Sequence, residues 1–250
     1  MAAQPGVVTV AGALGDAIEQ VTGQPVKLTV AGRTDTGVHA WGQVVSFDLD
    51  RAHLDTEDLH RSLLSMLAPA IVVRSISEAS PDFNARRSAL SRSYRYDVLN
   101  RVPPDPFLAA TTWHVAEPLD LRAMVLACDP IVGEHDFSSF CRVPRGVEKP
   151  RMTRRVIDAR WSRVRRADSG GGDVVRFEIE ATSFCQQMVR ALVGLMVAMG
   201  DGRQRAGEMS SILRARSRAA AVHMAPPQGL CLWAVKYPEE GPFVAPAAST

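Results

Sequence analysis

The sequence predicts an α+β fold in which antiparallel strands dominate and a few helices cover them. Three patterns carry this reading. Ser93-Tyr94-Arg95-Tyr96-Asp97-Val98-Leu99 alternates over seven residues, the period of a half-buried strand, with the tyrosines on one face and Arg95 and Asp97 on the other. The stretches 154–164 and Val174–Ala181 flank Asp168-Ser169-Gly170-Gly171-Gly172, turn chemistry that makes the two strands antiparallel. Helical spacing recurs at Val10, Leu14, Ile18 and Val21 and again over the mostly apolar Phe184–Met199, so helices and strand groups are mixed.

The remaining elements follow in order. After the first helix, Val26-Lys27-Leu28-Thr29-Val30 alternates and predicts a strand over 26–31, and Gln43-Val44-Val45-Ser46-Phe47 predicts another over 43–48. Thr56 caps a helix whose first turn carries Glu57 and Asp58 and whose apolar stripe is Leu59, Leu63, Met66 and Leu67. Ile71–Ile76 is a strand. Pro103, Pro104 and Pro106 break the chain and mark a boundary between a half over 1–102 and a half over 103–238. The second half has a strand near Thr111–Ala116 and a helix capped by Asp120 that runs to about Ile131. A last strand spans Leu230–Tyr237, and a disordered tail is expected over 239–250.

At 250 residues, 46% hydrophobic and 22% charged, the chain has the composition of an ordinary globular protein of one or two domains, which excludes a fibre or a disordered chain. The first fifteen residues have no basic leader and no apolar run reaches membrane-spanning length, so a cytoplasmic location is expected. Cys128, Cys141, Cys185 and Cys231 are widely spaced, with no Cys-x-x-Cys pair, and are expected to be reduced thiols. The six histidines form no ligand set, and no metal is expected.

Charge is uneven. Between Arg142 and Arg166 ten basic residues stand against Glu148 and Asp158, a local +8 that leaves −6 for the rest of a chain whose net charge is +2. A smaller patch runs through Arg86, Arg87, Arg92, Arg95 and Arg101. Both suit a phosphate-bearing partner, although heavy arginine use also fits a solvated face.

The stretch richest in chemistry is Ala31-Gly32-Arg33-Thr34-Asp35-Thr36-Gly37-Val38-His39-Ala40, a loop joining the strands 26–31 and 43–48. Gly32 and Gly37 permit positive φ or close backbone approach, and Thr34, Asp35 and Thr36 can fix a turn locally. On its own, Asp35 reads first as a turn-capping aspartate.

The run Gly32-Arg33-Thr34-Asp35-Thr36-Gly37-Val38-His39 resembles the G-R-T-D-A-G-V-H signature of the TruA family of tRNA pseudouridine synthases, departing from it only at Thr36. Asp82-Phe83-Asn84-Ala85-Arg86, Tyr94-Arg95-Tyr96, Asp136-Phe137-Ser138-Ser139-Phe140, Phe184–Gly194 and Pro227–Pro238 follow the family in order, from about Val10 to Pro238. The resemblance implies two ferredoxin/RRM-like antiparallel halves with an RNA-binding cleft. It also implies isomerisation of uridine to pseudouridine in the tRNA anticodon stem-loop (positions 38, 39 and 40), by a homodimer and without a cofactor.

In the same comparison Asp35 matches the catalytic aspartate and Arg190, in Phe184-Cys185-Gln186-Gln187-Met188-Val189-Arg190, the arginine that pairs with it. Tyr94 matches the tyrosine that stacks on the uracil, and Arg33 would fill the space or contact phosphate beside the extruded nucleotide. A charged carboxylate in a closed RNA site needs an opposite charge, and an arginine inside an apolar segment needs a partner. Three roles for Asp35 stay open: attack on C1′, addition to uracil C6, or removal of the C2′ proton. Arg92 and Arg95 are possible phosphate contacts.

The chain departs from the family at Arg87, at the shortened Met66-Leu67-Ala68-Pro69, and at the front, where an opening strand with Y-D-G and G-W-Q residues is absent. In the family's β-α-β-β-α-β half, that strand lies between those corresponding to 43–48 and 71–76. We therefore expect a shortened N-terminus, from a late start codon or a trimmed coding segment, and unpaired inner sheet edges.

Two other classes share features with this sequence. Asp35-Thr36-Gly37 and Asp168-Ser169-Gly170 are aspartic-protease triplets, but Arg33-Thr34 and Arg165-Arg166-Ala167 precede them where apolar strand residues are needed. A non-catalytic RNA-binding module of the same fold is the alternative, against which Asp35 itself argues.

Overall fold

In chain order the elements are α1 (Val10–Thr22), β1 (Thr29–Val30), β2 (His39–Ala40), β3 (Val45–Ser46), α2 (Thr56–Leu67), β4 (Ser91–Asn100), β5 (Trp113–Val115), α3 (Leu121–Leu126), β6 (Gly133–Asp136), β7 (Thr153–Val164), β8 (Val174–Ala181), α4 (Met188–Gly200), α5 (Met209–Ala215) and β9 (Leu230–Lys236). They come from a computed structural model that describes residues 8–50, 55–143, 146, 151–164, 174–221 and 223–238. The turn expected at 168–172, most of the basic run between 144 and 150, and the tail expected over 239–250 lie outside the described residues. The fold class is α+β with a mixed sheet, and the chain forms two compact units. One comprises 1–34, 43–90 and 235–250; the other comprises 35–42 and 91–234.

In the first unit, α1 and α2 bury Ala17, Ile18, Leu59 and Leu63, against which Leu14, Val21, Val26, Leu28, Phe47, Leu49 and Leu67 pack. The cap of α2 is Asp55, whose carboxylate accepts from Glu57 N at 2.8 Å, so Thr56 is the first helical residue and not the cap. Met66 is 41% exposed and leaves the apolar stripe. β1 and β3 are antiparallel, but only Thr29↔Ser46 and Val30↔Val45 are laddered, far less than the strands expected over 26–31 and 43–48.

The strand expected at Ile71–Ile76 does not form. Val73 and Ile76 still pack on the helix pair, and His60 Nε2 donates to the Val73 carbonyl at 2.8 Å, but these residues join no ladder among the described ones. Apolar pattern alone places such a segment on the core; becoming a strand takes a neighbouring backbone.

In the second unit the sheet runs β2-β9-β4-β8-β7-β6, with β5 also pairing β4. β4, β8, β7 and β6 are successively antiparallel, whereas β2 runs parallel to β9 and β5 parallel to β4. The alternation read from β4 holds: Tyr94, Tyr96 and Val98 are buried, while Arg95 and Asp97 lie on the other face. α3 ends at Leu126, short of Ile131, because Pro130 lacks an N–H and its ring would strike the carbonyl four residues back; the chain continues as a 3₁₀ turn over 129–131. α4 starts at Met188 and not at Phe184, since Gln187 takes a left-handed φ of 68°. Every residue of α4 except Arg190 is buried. Among the described residues no helix is long and apolar enough to cross a membrane.

Two sequence expectations need correction here. Cys141 and Cys185 are joined as a disulfide with Cα atoms 5.7 Å apart, leaving only Cys128 and Cys231 as thiols. Arg92 and Arg95 are held by protein groups. Arg92 is buried with Nη1 on the Thr182 carbonyl at 3.0 Å. Arg95 donates to Glu178 at 2.8 Å and lies 3.6 Å over the Trp233 ring.

Glu178 also accepts twice from Arg160, at 3.0 and 2.8 Å. Burial alone would raise its carboxyl, but the hydrogen bonds from Arg160 and Arg95 override that and hold it below its usual value. A depressed carboxylate contributes stability that is present above its unfolded value of 4.5 and is lost as pH falls through the folded value. Glu178→Gln should therefore cost about 1–3 kcal/mol near neutral pH, a cost that shrinks progressively as pH falls below 4.5, as read by denaturant unfolding at neutral pH and through an acid series. A gap that does not narrow in acid would remove the carboxylate from this account.

Candidate active site

The loop holding Asp35 is closed at its base within the first unit. Ala31 N donates to the Val44 carbonyl at 2.9 Å. The Gln43 side chain then spans the gap, accepting from Gly32 N at 3.2 Å and donating to Gly32 O at 2.7 Å. Gly32 is thus the point that Gln43 clasps, and of the two glycines only Gly37 has positive φ, at 80°. Arg33 is exposed and belongs to this unit.

Residues 35–42 belong to the second unit. Val38 N donates to the Asp35 carbonyl at 3.1 Å, closing a turn whose third residue is Gly37; that position needs the left-handed φ. His39 and Ala40 pair in parallel with Cys231 and Leu232, and Trp41 N and Gly42 N both donate to Leu232 O, at 2.9 and 3.2 Å. A Cβ at Gly42 would overlap the Trp233 carbonyl, so this close approach requires glycine. Trp41 stacks on Trp233 with centroids 5.6 Å apart, and His39 Nε2 donates to the Ala110 carbonyl at 2.8 Å. The loop is pinned along its length.

Arg190 reaches it from α4. Its Nη1 lies 3.5 Å from Asp35 Oδ2, with the two side chains 15% and 29% exposed. Its Nε donates to the Ala225 carbonyl at 2.8 Å, while Ala225 N donates to the Arg190 carbonyl at 3.1 Å. The guanidinium is therefore fixed by backbone on one edge and turned toward the carboxylate on another. A 3.5 Å separation is an ion pair without a tight hydrogen bond, which leaves carboxylate lone pairs for a reacting group.

Tyr94 is 8% exposed and meets Phe184 edge-on, with centroids 5.0 Å apart. Burial pushes its phenol up to about 12; Arg92 opposes this and the Asp35 carboxylate adds to it, a sign of how near that charge stands. The structure thus gathers Asp35, Arg190 and Tyr94 in one unit. The residues that sequence reasoning left without a role are Tyr96 and Ala225-Pro226-Pro227. The signal was present in β4, since a second tyrosine on the buried face must find a partner for its hydroxyl. The neighbour of Asp35 is an arginine; the second protease-like triplet, Asp168-Ser169-Gly170, lies outside the described residues.

A carboxylate beside a fixed guanidinium, on a loop pinned to a sheet, is an arrangement able to do acid–base or nucleophilic work. A family model described as tRNA pseudouridine synthase matches residues 127–238. The chain is 38% identical to the tRNA pseudouridine synthase A of Gloeobacter violaceus over 96% of its own length and 76% of that protein. It is 39% identical to that of a Methylobacterium species over 94% and 90%, and 40% identical to that of Frankia casuarinae over 100% and 88%. The chain belongs to the tRNA pseudouridine synthase A (TruA) family.

Proposed function

We propose that Asp35 is the catalytic carboxylate and Arg190 the cation that keeps it charged when the site closes on RNA. The reaction is the isomerisation of uridine to pseudouridine in tRNA: the bond from C1′ to N1 breaks, the base turns, and C5 bonds to C1′. N1 takes up a proton and the C5 proton leaves to water. The observation that carries the assignment is the 3.5 Å pairing of Asp35 with Arg190, the single residue of α4 that is not buried.

In this reading Tyr94 closes one side of the extruded uracil and Arg33 fills the space, or contacts phosphate, beside the flipped nucleotide. The substrates are uridines 38, 39 and 40 of the anticodon stem-loop. The halves 1–102 and 103–238 act as a ferredoxin-like pair around an RNA cleft, in a homodimer; their mixed strands and helices support this. Tritium release from tRNA carrying 5-tritiated uridine tests the reaction, and mapping pseudouridine in cells with and without the protein tests the positions. Modification confined to other positions would reassign the substrate.

Phosphate contacts are assigned to the segment Arg142–Arg166, in which Arg151 and Arg155 are exposed. Arg154 instead turns Nη1 to the carbonyls of Arg151 and Thr153, at 3.0 and 2.7 Å. Affinity for tRNA should fall steeply with salt, and neutralising Arg151 or Arg155 should flatten the log–log slope by roughly one unit. A slope unmoved by either substitution would return this face to simple solvation.

A further inference from the structure

A strap over 223–229 runs from α4 past Arg190 and Tyr96 to the Asp35 turn. Gly194 lets it lie against α4, since a Cβ there would stand 2.6 Å from His223 O and 2.9 Å from Ala225 N. Ala225 is fully buried and clasps Arg190 through both its N–H and its carbonyl. The next carbonyl, that of Pro226, accepts from Tyr96 Oη at 2.8 Å. The next ring, that of Pro227, lies against the Asp35 turn: a Cβ at Gly37 would stand 3.0 Å from Pro227 Cγ. Two consecutive prolines with fixed φ make the strap stiff, so a force on its middle carbonyl reaches both ends.

Tyr96 has a narrow seat. It is fully buried, Trp113 meets it edge-on with centroids 6.4 Å apart, and a Cβ at Gly229 would stand 2.6 Å from its ring. Its hydroxyl therefore has one position. Burial pushes the phenol far above its ordinary range, against the pull of Arg190, so it remains a donor at every working pH.

We propose that Tyr96 is a positioning residue: its bond to the Pro226 carbonyl sets the strap, and the strap sets the Arg190–Asp35 separation that the isomerisation requires. This rests on the reading of Asp35 and Arg190 given above. A group that acts only on that geometry should affect the chemical step and leave tRNA binding alone. A buried tyrosine that merely completes a core should affect stability and leave turnover per folded molecule unchanged.

The test is Tyr96→Phe, which keeps the ring and removes one donor. Tritium release from tRNA with 5-tritiated uridine should show kcat lowered about tenfold to a hundredfold, the scale of roughly a 1 Å misplacement, with KM and the tRNA Kd within about twofold. In an Arg190→Lys background the same substitution should cost much less, because both changes act on one contact. Pro227→Ala, which keeps the Tyr96 bond but removes the ring beside Gly37, should also lower kcat alone.

An unchanged kcat for Tyr96→Phe, or a loss carried by KM, overturns the proposal; so does an equal loss in both backgrounds. If Asp35→Asn is inert while Tyr96→Phe is fully active, only the strap is overturned. If Asp35→Asn turns over, the assignment of the site itself fails and the strap proposal fails with it.

Discussion

Asp35→Asn should abolish tritium release, by at least about a thousandfold in kcat, while tRNA Kd stays within a few-fold. Asparagine keeps the shape of the side chain and leaves the loop's anchors intact, because these are backbone bonds: Val38 N to Asp35 O, and Trp41 N and Gly42 N to Leu232 O. What it removes is the negative charge that faces Arg190 Nη1. Binding energy comes mostly from phosphate contacts spread over many residues, so the substitution separates chemistry from affinity. Retained turnover would sink the assignment of Asp35.

Arg190→Ala should lower turnover by orders of magnitude and also lower stability, a combination not expected at Asp35. The arginine has two partners. Removing it leaves the carboxylate without its cation, and it leaves the carbonyl of fully buried Ala225 without the Nε donor. An orphaned buried carbonyl costs about 1–3 kcal/mol, and the methylenes withdrawn from α4 add to this. Arg190→Lys should recover part of the stability and little of the rate, since one ammonium cannot satisfy a carbonyl and a carboxylate in the fixed directions of a guanidinium. Thermal unfolding and single-turnover tritium release on the same preparations measure the two losses. A stable, active Arg190→Ala protein would place the counter-charge elsewhere.

Legibility in the sequence followed the range of the interaction. β4, β7, β8 and the body of α4 follow from patterns contained within a dozen residues: burial alternates along most of β4 and β8, shifts phase at the irregularity between Val156 and Asp158 in β7, and is continuous along α4 except at Arg190. Ile71–Ile76 failed because its apolar pattern records contact with α1 and α2, whereas a ladder needs a partner that no local pattern reports. The Cys141–Cys185 link spans 44 residues and has no spacing signature. Asp35, Arg190 and Tyr94 were legible through their motifs, and so was the pairing of Asp35 with Arg190; what holds Arg190 in place was not, because its Nε donates to the Ala225 carbonyl, and backbone oxygens leave no mark in a sequence.

The parallel pairing of β2 with β9 has a consequence for biosynthesis. Asp35 is made early, but the strand that seats its loop, through Cys231 and Leu232, is translated about 190 residues later. At roughly 5–20 residues per second the nascent chain carries the Asp35 loop unseated for on the order of ten seconds or more, with Arg190 and the strap also still to come. A chain whose synthesis stops before Leu232 therefore carries the aspartate without the strand that seats its loop.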